Sequence, residues 1–261
     1  MTAVIGLPVF LWLLYMGGYY TQVLVLVMVI AGITELYKIM KMKNKIILFL
    51  LYIFSIIVTF SPEKLSYFGI SILFMLSIFI FYVINFKENM EENKINFSII
   101  IQGLFIYMYV TIPMYHLILI RNVKEDFKYI FFMFIIIWIT DSFAYFTGML
   151  LGKRKLAPRV SPKKTIEGSL GGSFFAILVS LVINYKFDVF INISPVLLGI
   201  IIFTLTLVSQ LGDLFESSIK RIYNVKDSGK ILPGHGGFLD RFDSTIFVAP
   251  VFYILLKFLI L

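Results

Sequence analysis

Apolar residues recur along this chain in runs that short polar segments separate. A helical run of about 20 apolar residues matches the hydrocarbon thickness of a bilayer. The runs predict about nine transmembrane helices, at residues 3–17, 19–39, 45–61, 66–86, 98–120, 127–151, 168–186, 194–218 and 242–261. The pattern therefore predicts an all-α, polytopic integral membrane protein. Only Gly17 and Gly18 divide the first two runs, so the first is either a span or a re-entrant or interfacial segment.

Composition supports the same class. Hydrophobic residues make up 60% of the 261 positions, charged residues only 15%, and the mean hydropathy is +0.95. Such a chain could not cover a soluble core with polar surface. We expect one membrane domain over residues 1–261, in which residues 1–120 have an unassigned role and residues 121–261 carry the candidate functional residues. The chain has no cysteine, which excludes disulfides and thiolate metal sites.

Lysine and arginine are unevenly distributed over the connecting segments. Of the 23 basic residues, seventeen follow the second, fourth, sixth and eighth runs, five lie in the opposite segments, and Lys257 lies near the C-terminus. By the positive-inside rule, the basic side is cytoplasmic. We therefore expect a protein integral to the cell (inner) membrane, with its N-terminus in the cytoplasm and its C-terminus outside. The net charge of +8 follows from this placement and does not indicate nucleic-acid binding.

The first polar segment with candidate chemistry is residues 152–168, GKRKLAPRVSPKKTIEG. It carries six cations against one acid, and its two prolines disfavour a helix. Ser161, Lys163, Lys164 and Thr165 offer hydroxyl and ammonium groups just before the next apolar run, where a helix N-terminus would suit a phosphate. Retention of topology and contact with anionic lipid headgroups would explain the cations equally well, and helix packing would explain the glycines that follow.

A carboxylate also lies deep in the sixth run. Asp141 would cost several kcal/mol at that depth unless it were paired, solvated or bound to a cation. It is therefore a candidate functional residue, and its alternative role is to pair with a buried arginine or lysine. Glu35 and His116 also have apolar neighbours, but both lie near the ends of runs, where headgroup contact suffices, and neither is included in the predicted site.

A second acidic pattern begins in the eighth run. One helical face would carry Gln210, Asp213, Glu216, Ser217 and Lys220. Further along, Asp240 and Asp243 stand three residues apart. Converging carboxylates without cysteine favour a hard cation such as Mg²⁺ over zinc, and a network of ion pairs is the alternative. Cations for phosphates, carboxylates for a divalent metal and a membrane boundary together favour phosphoryl or nucleotidyl transfer to a lipid phosphate.

The segment from Ser217 to Asp243, termed the signature segment, resembles the phosphatidate cytidylyltransferase (CDP-diglyceride synthetase) family. Every fixed position of the family pattern is met, by Ser217, Lys220, Arg221, Lys226, Asp227, Gly229, Pro233, His235, Gly236, Gly237, Asp240, Arg241 and Asp243. Residues 140–148, 161–168 and 212–217 also look like family blocks. The N-terminal runs match only in hydrophobicity, and would house acyl chains or the interface of a homodimer.

The resemblance implies a magnesium-dependent enzyme that converts CTP and phosphatidate into CDP-diacylglycerol and diphosphate at the cytoplasmic face of the bilayer. Its predicted catalytic residues are Asp213, Asp240, Lys220 and Arg241. Its predicted metal ligands are Asp213, Asp240, Asp243 and Asp141, with a second, monovalent cation left open. Its predicted substrate-binding residues are Ser161, Lys163, Lys164, Thr165, Ser217, Arg221, Lys226, Asp227, His235, Gly236 and Gly237.

Two other functions stay open on the sequence alone. One is a cytidylyltransferase for a different lipid phosphate, such as an isoprenoid ether lipid. The other is a lipid transporter or flippase, in which Asp141 and Asp213 would be ion-coupling carboxylates at membrane depth.

Overall fold

A computed structural model describes residues 2–61, 67–231, 234 and 236–260. Its helices are α1 (Thr2–Met16), α2 (Gly18–Ile39), α3 (Lys45–Phe60), α4 (Tyr67–Ile84), α5 (Met90–Ile106), α6 (Ile112–Asn122), α7 (Phe127–Leu151), α8 (Ile166–Phe187), α9 (Pro195–Ile222) and α10 (Leu239–Ile260). A π-helical turn, Tyr107–Thr111, joins α5 to α6, and a 3-10 turn, Val123–Glu125, follows α6. Two short strands, β1 (Lys155–Ala157) and β2 (Ser161–Thr165), lie between α7 and α8.

The helices confirm an all-α integral membrane protein. Within the described residues, six helical stretches are long and apolar enough to cross a bilayer, at 18–39, 90–125, 127–151, 166–187, 195–222 and 239–259. Three further apolar helices, at 6–16, 45–60 and 68–84, are shorter than this. The predicted count of about nine spans therefore stays a prediction.

Side-chain caps explain where several helices begin. Asp126, Thr165 and Ser194 each precede a helix, and each accepts a hydrogen bond from a backbone N–H of its first turn. Pro195 occupies the first turn of α9, where its missing N–H costs nothing. These helices therefore begin where short polar side chains meet the apolar runs.

The chain folds into two compact units. The first comprises residues 1–115 together with residues 228–238, and the second comprises residues 116–227 and 239–261. In the first unit, α2 packs against α3, Phe74 stacks on Tyr107 with ring centroids 4.1 Å apart, and buried Ser55 and Thr111 share a 2.8 Å hydrogen bond. Part of the signature segment thus folds with the N-terminal helices.

Glycines bring the helices of the second unit into close contact. A Cβ on Gly172 would lie 2.6 Å from the carbonyl oxygen of Thr140, and one on Gly168 would lie 2.6 Å from that of Ala144. Only glycine allows α8 to approach α7 so closely. Gly168 and Gly172 therefore serve close packing of α8 against α7, which was one of the two roles that the sequence left open for these glycines.

The basic segment between α7 and α8 forms a hairpin, in which β1 pairs antiparallel with β2 and Lys155 lies opposite Thr165. Within the described residues, the hairpin is the one sheet of a mainly helical chain. Glu167 stabilises the base of the hairpin, because its carboxylate accepts hydrogen bonds from the backbone N–H groups of Lys153 and Arg154, at 3.0 and 3.1 Å. It also pairs with the Arg154 guanidinium at 3.0 Å.

Candidate active site

A cavity of about 640 Å³ lies in the second unit. The hairpin and four helices supply its walls: Trp138, Asp141, Ala144, Tyr145, Gly148 and Met149 from α7, Leu156, Lys163, Lys164 and Thr165 from the hairpin, Ser169 from α8, Gln210 and Asp213 from α9, and Asp240, Arg241 and Asp243 from α10. Aromatic and aliphatic surfaces thus meet four carboxylates and three cations in one cavity. Such a mixture suits a ligand that is apolar at one end and anionic at the other.

Lys164 of the hairpin forms an ion pair with Asp213 of α9. Lys164 Nζ lies 2.5 Å from Asp213 Oδ2, and both side chains are about one-third exposed, at 27% and 31%. The next residue, Thr165, caps α8 by accepting a hydrogen bond from the Gly168 N–H at 3.1 Å. The cap fixes the end of β2, and therefore the position of Lys164.

Close packing of α9 against α10 brings distant acids together. A Cβ on Gly212 would lie 2.8 Å from the Asp243 carbonyl oxygen, and the Ser244 hydroxyl donates to the Ser209 carbonyl at 3.1 Å. Asp213, Asp243 and Asp141 all line the same cavity. For these carboxylates to meet, the eighth and ninth runs had to pack together, and α9 does pack against α10.

A buried ion-pair bridge lies beside the cavity. Lys220 Nζ lies 2.5 Å from Glu216 Oε2 and 2.6 Å from Asp240 Oδ1. The Glu216 side chain is 3% exposed and that of Asp240 is 18% exposed. The lysine therefore holds one carboxylate of the cavity wall against one that is fully enclosed. The ion-pair alternative raised by the sequence is correct for this part of α9.

Uncharged polar side chains in and next to the cavity wall link α8 to α9. The Ser169 hydroxyl donates to the Gln210 side-chain oxygen, and the Gln210 amide donates to the Ser173 hydroxyl at 3.2 Å. Thr206, also buried, donates to Ser173 at 2.8 Å. This ladder satisfies polar groups inside apolar surroundings and fixes the register of the two helices.

The four predicted metal ligands, Asp141, Asp213, Asp240 and Asp243, all line the cavity. Within the described ranges, no group of three or more acidic or histidine side chains closes around a single metal position. Magnesium does not need one, because it commonly binds one or two carboxylates and completes its shell with water and substrate phosphates. The oxygen-only donor set therefore fits Mg²⁺, with Lys164 now occupying one side of Asp213.

The structure places the predicted site residues in three groups. Lining the cavity are Asp141, Lys163, Lys164, Thr165, Asp213, Asp240, Arg241 and Asp243. Of the described residues, the lining does not include Ser161, Ser217, Lys220, Arg221, Lys226 or Asp227, although Lys220 and Ser217 contact lining carboxylates. Gly236 and Gly237 lie in residues 228–238, which pack with the N-terminal helices, and His235 lies outside the described residues.

The predicted site omitted several residues that line the cavity, pair with a predicted site residue or contact the signature segment in the structure. Gln210 and Glu216 shared the predicted face of α9 but were not assigned to the site. That helical spacing was their signal. Ser169 lines the cavity without any distinctive sequence pattern. Glu35, which was set aside as a residue near a helix end, is 1% exposed and contacts the signature segment.

Comparisons with known proteins identify relatives that match nearly the whole chain. A model of the cytidylyltransferase family matches residues 1–259. The chain is 37% identical to the phosphatidate cytidylyltransferase of Bacillus subtilis, over 98% of this chain and 96% of that protein. It is 38% identical to the Staphylococcus epidermidis phosphatidate cytidylyltransferase, and 37% identical to that of Staphylococcus aureus, each over 98% of this chain and 97% of the relative.

Proposed function

The chain belongs to the cytidylyltransferase family, and we propose that it is a phosphatidate cytidylyltransferase that makes CDP-diacylglycerol in phospholipid synthesis. The observation that carries this proposal is one cavity in which carboxylates, lysines and an arginine from the family blocks meet beside apolar walls. Near-complete coverage of relatives that bear this name supports the same substrates, CTP and phosphatidate.

The reaction needs one bond to form and one to break. An oxygen of the phosphatidate phosphate attacks the α-phosphorus of CTP, and the bond from that phosphorus to the oxygen bridging to the β-phosphate breaks. Diphosphate leaves with that oxygen, so atoms and charge balance without a covalent enzyme intermediate. Because the attacking phosphate is already anionic, a general base is dispensable. The chain's task is then to position two anions and to stabilise charge as it spreads over phosphate oxygens.

Lys163, Lys164 and Arg241 are the cations that the cavity offers to phosphates. In this arrangement Lys164 forms an ion pair with the Asp213 carboxylate. We expect the triphosphate to take Lys164 from Asp213, which frees that carboxylate when the substrate arrives. The partly exposed pair can exchange partners at low cost, since water already reaches both groups.

Charge balance supports a divalent cation in the same cavity. Four carboxylates of the described lining face three cations, so the wall by itself does not favour two polyanionic substrates. The residues that would hold Mg²⁺ are the four lining carboxylates, Asp213, Asp240, Asp243 and Asp141. A bound Mg²⁺ would offset negative charge on the diphosphate as it leaves. A second, monovalent cation stays part of the proposal.

Membrane placement completes the proposal. The apolar runs favour nine crossings, and with that count the positive-inside rule favours a cytoplasmic cavity in the cell membrane and an external C-terminus. A reporter fused after Leu261 should then behave as external, and a cytoplasmic signal would overturn this topology. A homodimer formed through the N-terminal helices is tested by cross-linking in native membranes.

A direct assay tests the function. Purified protein is given labelled CTP with phosphatidate or with an isoprenoid ether lipid phosphate, with Mg²⁺ or with a chelator. We expect labelled CDP-diacylglycerol and diphosphate only with phosphatidate and Mg²⁺, and no product from Asp213→Asn. Turnover of the ether lipid alone would assign the chain to that related activity, and no CTP turnover with either lipid would refute the proposal.

A further inference from the structure

Glu35 lies near the C-terminal end of α2 and is almost fully enclosed, at 1% exposure. Both of its carboxyl oxygens accept hydrogen bonds from residues 228–238, termed the signature loop. The Ser228 hydroxyl donates to Oε2 and the Phe238 backbone N–H donates to Oε1, each at 2.9 Å. One carboxyl group therefore contacts the first and the last residue of this loop, about 200 positions away in the chain.

Two glycines make this contact possible. A Cβ on Gly229 would lie 2.5 Å from Glu35 Oε1. A Cβ on Gly237 would overlap the Ser228 hydroxyl and lie 2.7 Å from the Gly229 nitrogen. The two ends of the loop therefore run side by side against the carboxyl group, at a separation that any larger residue would disrupt. Both glycines occupy fixed positions of the signature segment, and this contact gives a physical reason for them.

The contact is costly to lose. A buried carboxyl group needs hydrogen-bond donors to offset the loss of water, and these two donors are themselves buried at 6% and 3% exposure. The loop begins directly after Asp227 and ends directly before α10, whose first turn carries Asp240 and Arg241. Fixing both ends of the loop therefore fixes the chain at the point where two lining residues follow.

We propose that Glu35 is a positioning residue, which closes the signature loop by binding both of its ends and so sets the start of α10 for catalysis. It acts through the loop and not on the substrates. This role assigns a task to an N-terminal helix in a reaction whose other residues lie in the C-terminal half. The activity part of the inference rests on the proposed function, whereas the loop contact does not.

Three variants separate positioning from charge. In Glu35→Gln, the side-chain oxygen can still accept from the Phe238 N–H, and the amide can donate to the Ser228 hydroxyl. Glu35→Ala makes neither contact. Thr34→Val is the matched control, because Thr34 is the adjacent polar residue of α2 and bonds to Ile30 and Tyr52.

The readouts are kcat for CDP-diacylglycerol formation and the rate of tryptic cleavage after exposed Lys230 in the loop, relative to cleavage after Lys155 in the hairpin. We expect Glu35→Ala to lower kcat at least about tenfold and to speed cleavage after Lys230, because small displacements of catalytic groups are costly. Glu35→Gln and Thr34→Val should stay within about threefold of the parent in both readouts.

Equal losses in Glu35→Gln and Glu35→Ala would show that the charge itself is required, and unchanged cleavage in Glu35→Ala would show that the loop does not depend on this contact. Either result overturns the proposal. If Glu35→Ala fails to fold, Gly229→Ala is compared in the parent and in Glu35→Gln. Its methyl group meets the same oxygen, so loop cleavage must rise in both. Cleavage is measured without substrate, so failure of the proposed function would leave this arm intact.

Discussion

The Lys220 bridge allows a sharp test of how buried charge is arranged beside the cavity. Replacing Lys220 by methionine keeps the length and apolar stem of the side chain but removes its ammonium group. Glu216, at 3% exposure, then loses the cation that lies 2.5 Å from it, and Asp240 loses a partner at 2.6 Å. The substitution therefore leaves an enclosed carboxylate with a large desolvation cost.

The size of the effect follows from this burial. Removing one partner of a buried ion pair typically costs about 3–5 kcal/mol, because the other charge stays buried without compensation. Asp240 contributes less to the cost, since its side chain is 18% exposed and lines the cavity, where water can reach it. We therefore expect Lys220→Met to destabilise the protein by about 3 kcal/mol, most of it from Glu216.

A double variant isolates the destabilisation that comes from the buried Glu216 charge. In Glu216→Gln/Lys220→Met the enclosed side chain is neutral, so we expect more than half of the lost free energy of unfolding to return. Turnover should stay low in both variants, because Asp240 has lost the group that orients it. The assay is denaturant or thermal unfolding of purified protein, with CDP-diacylglycerol formation measured in parallel. Lys186→Met, an exposed lysine in the last turn of α8, is the matched control and should be near neutral.

The order of stabilities among these variants tests whether Lys220 compensates the buried charge of Glu216. The parent and Lys186→Met should be most stable, the double variant intermediate, and Lys220→Met least stable. A double variant no more stable than Lys220→Met would refute the reasoning, because it would show that the Glu216 charge is not what the lysine compensates.

Three further predictions concern the site and the helix packing around it. Gly212→Ala places a methyl group 2.8 Å from the Asp243 carbonyl oxygen and should lower both stability and turnover. Gly199→Ala is the control and should be near neutral, because the nearest atom to its methyl group would be 3.9 Å away. Equal thermal midpoints for the two variants would contradict the close helix contact. Lys164→Ala should raise the KM for CTP or for phosphatidate about tenfold or more, and unchanged saturation by both substrates would remove its phosphate role. His235→Ala should retain measurable turnover while Asp240→Ala does not, and comparable losses with folding intact would favour a catalytic histidine.

Much of the fold was accessible from the sequence, because hydropathy reports directly on burial in lipid. Each of the nine predicted runs coincides with a described helix or helix pair. The number of crossings did not follow with the same certainty. A helix of 16 residues such as α3 is about 24 Å long, less than the hydrocarbon core of about 30 Å. Apolarity alone therefore locates helices without deciding which of them span.

Part of the cavity lining was also accessible from the sequence, for a different reason. Carboxylates and lysines inside apolar runs stand out, and helical spacing places Asp213, Ser217 and Lys220 on one face of α9. The spacing could not say which charges pair with each other. Lys164 and Asp213 are 49 positions apart, and their contact depends on a hairpin whose register the sequence does not reveal. The family resemblance is confirmed by the family match and by the relatives.

Glu35 illustrates what sequence reasoning could not supply. An acidic residue near the end of an apolar helix is common and needs no special role, so its position carried no signal. Its contact becomes visible only when the loop closes on it, and the informative residues were then Gly229 and Gly237. Glycines at these two positions of the signature segment are consistent with another group approaching the backbone closely there.

The two lysine–carboxylate contacts of the site differ in exposure, and this difference assigns them different tasks. Lys164 and Asp213 are 27% and 31% exposed, so parting them costs little and either can turn to an incoming ligand. Lys220 and Glu216 are 11% and 3% exposed, so parting them leaves charge in an apolar environment. Substrate can therefore rearrange the first pair but not the second. It follows that substitutions at Lys164 should change substrate saturation at nearly constant stability, whereas substitutions at Lys220 should change stability before any substrate is added.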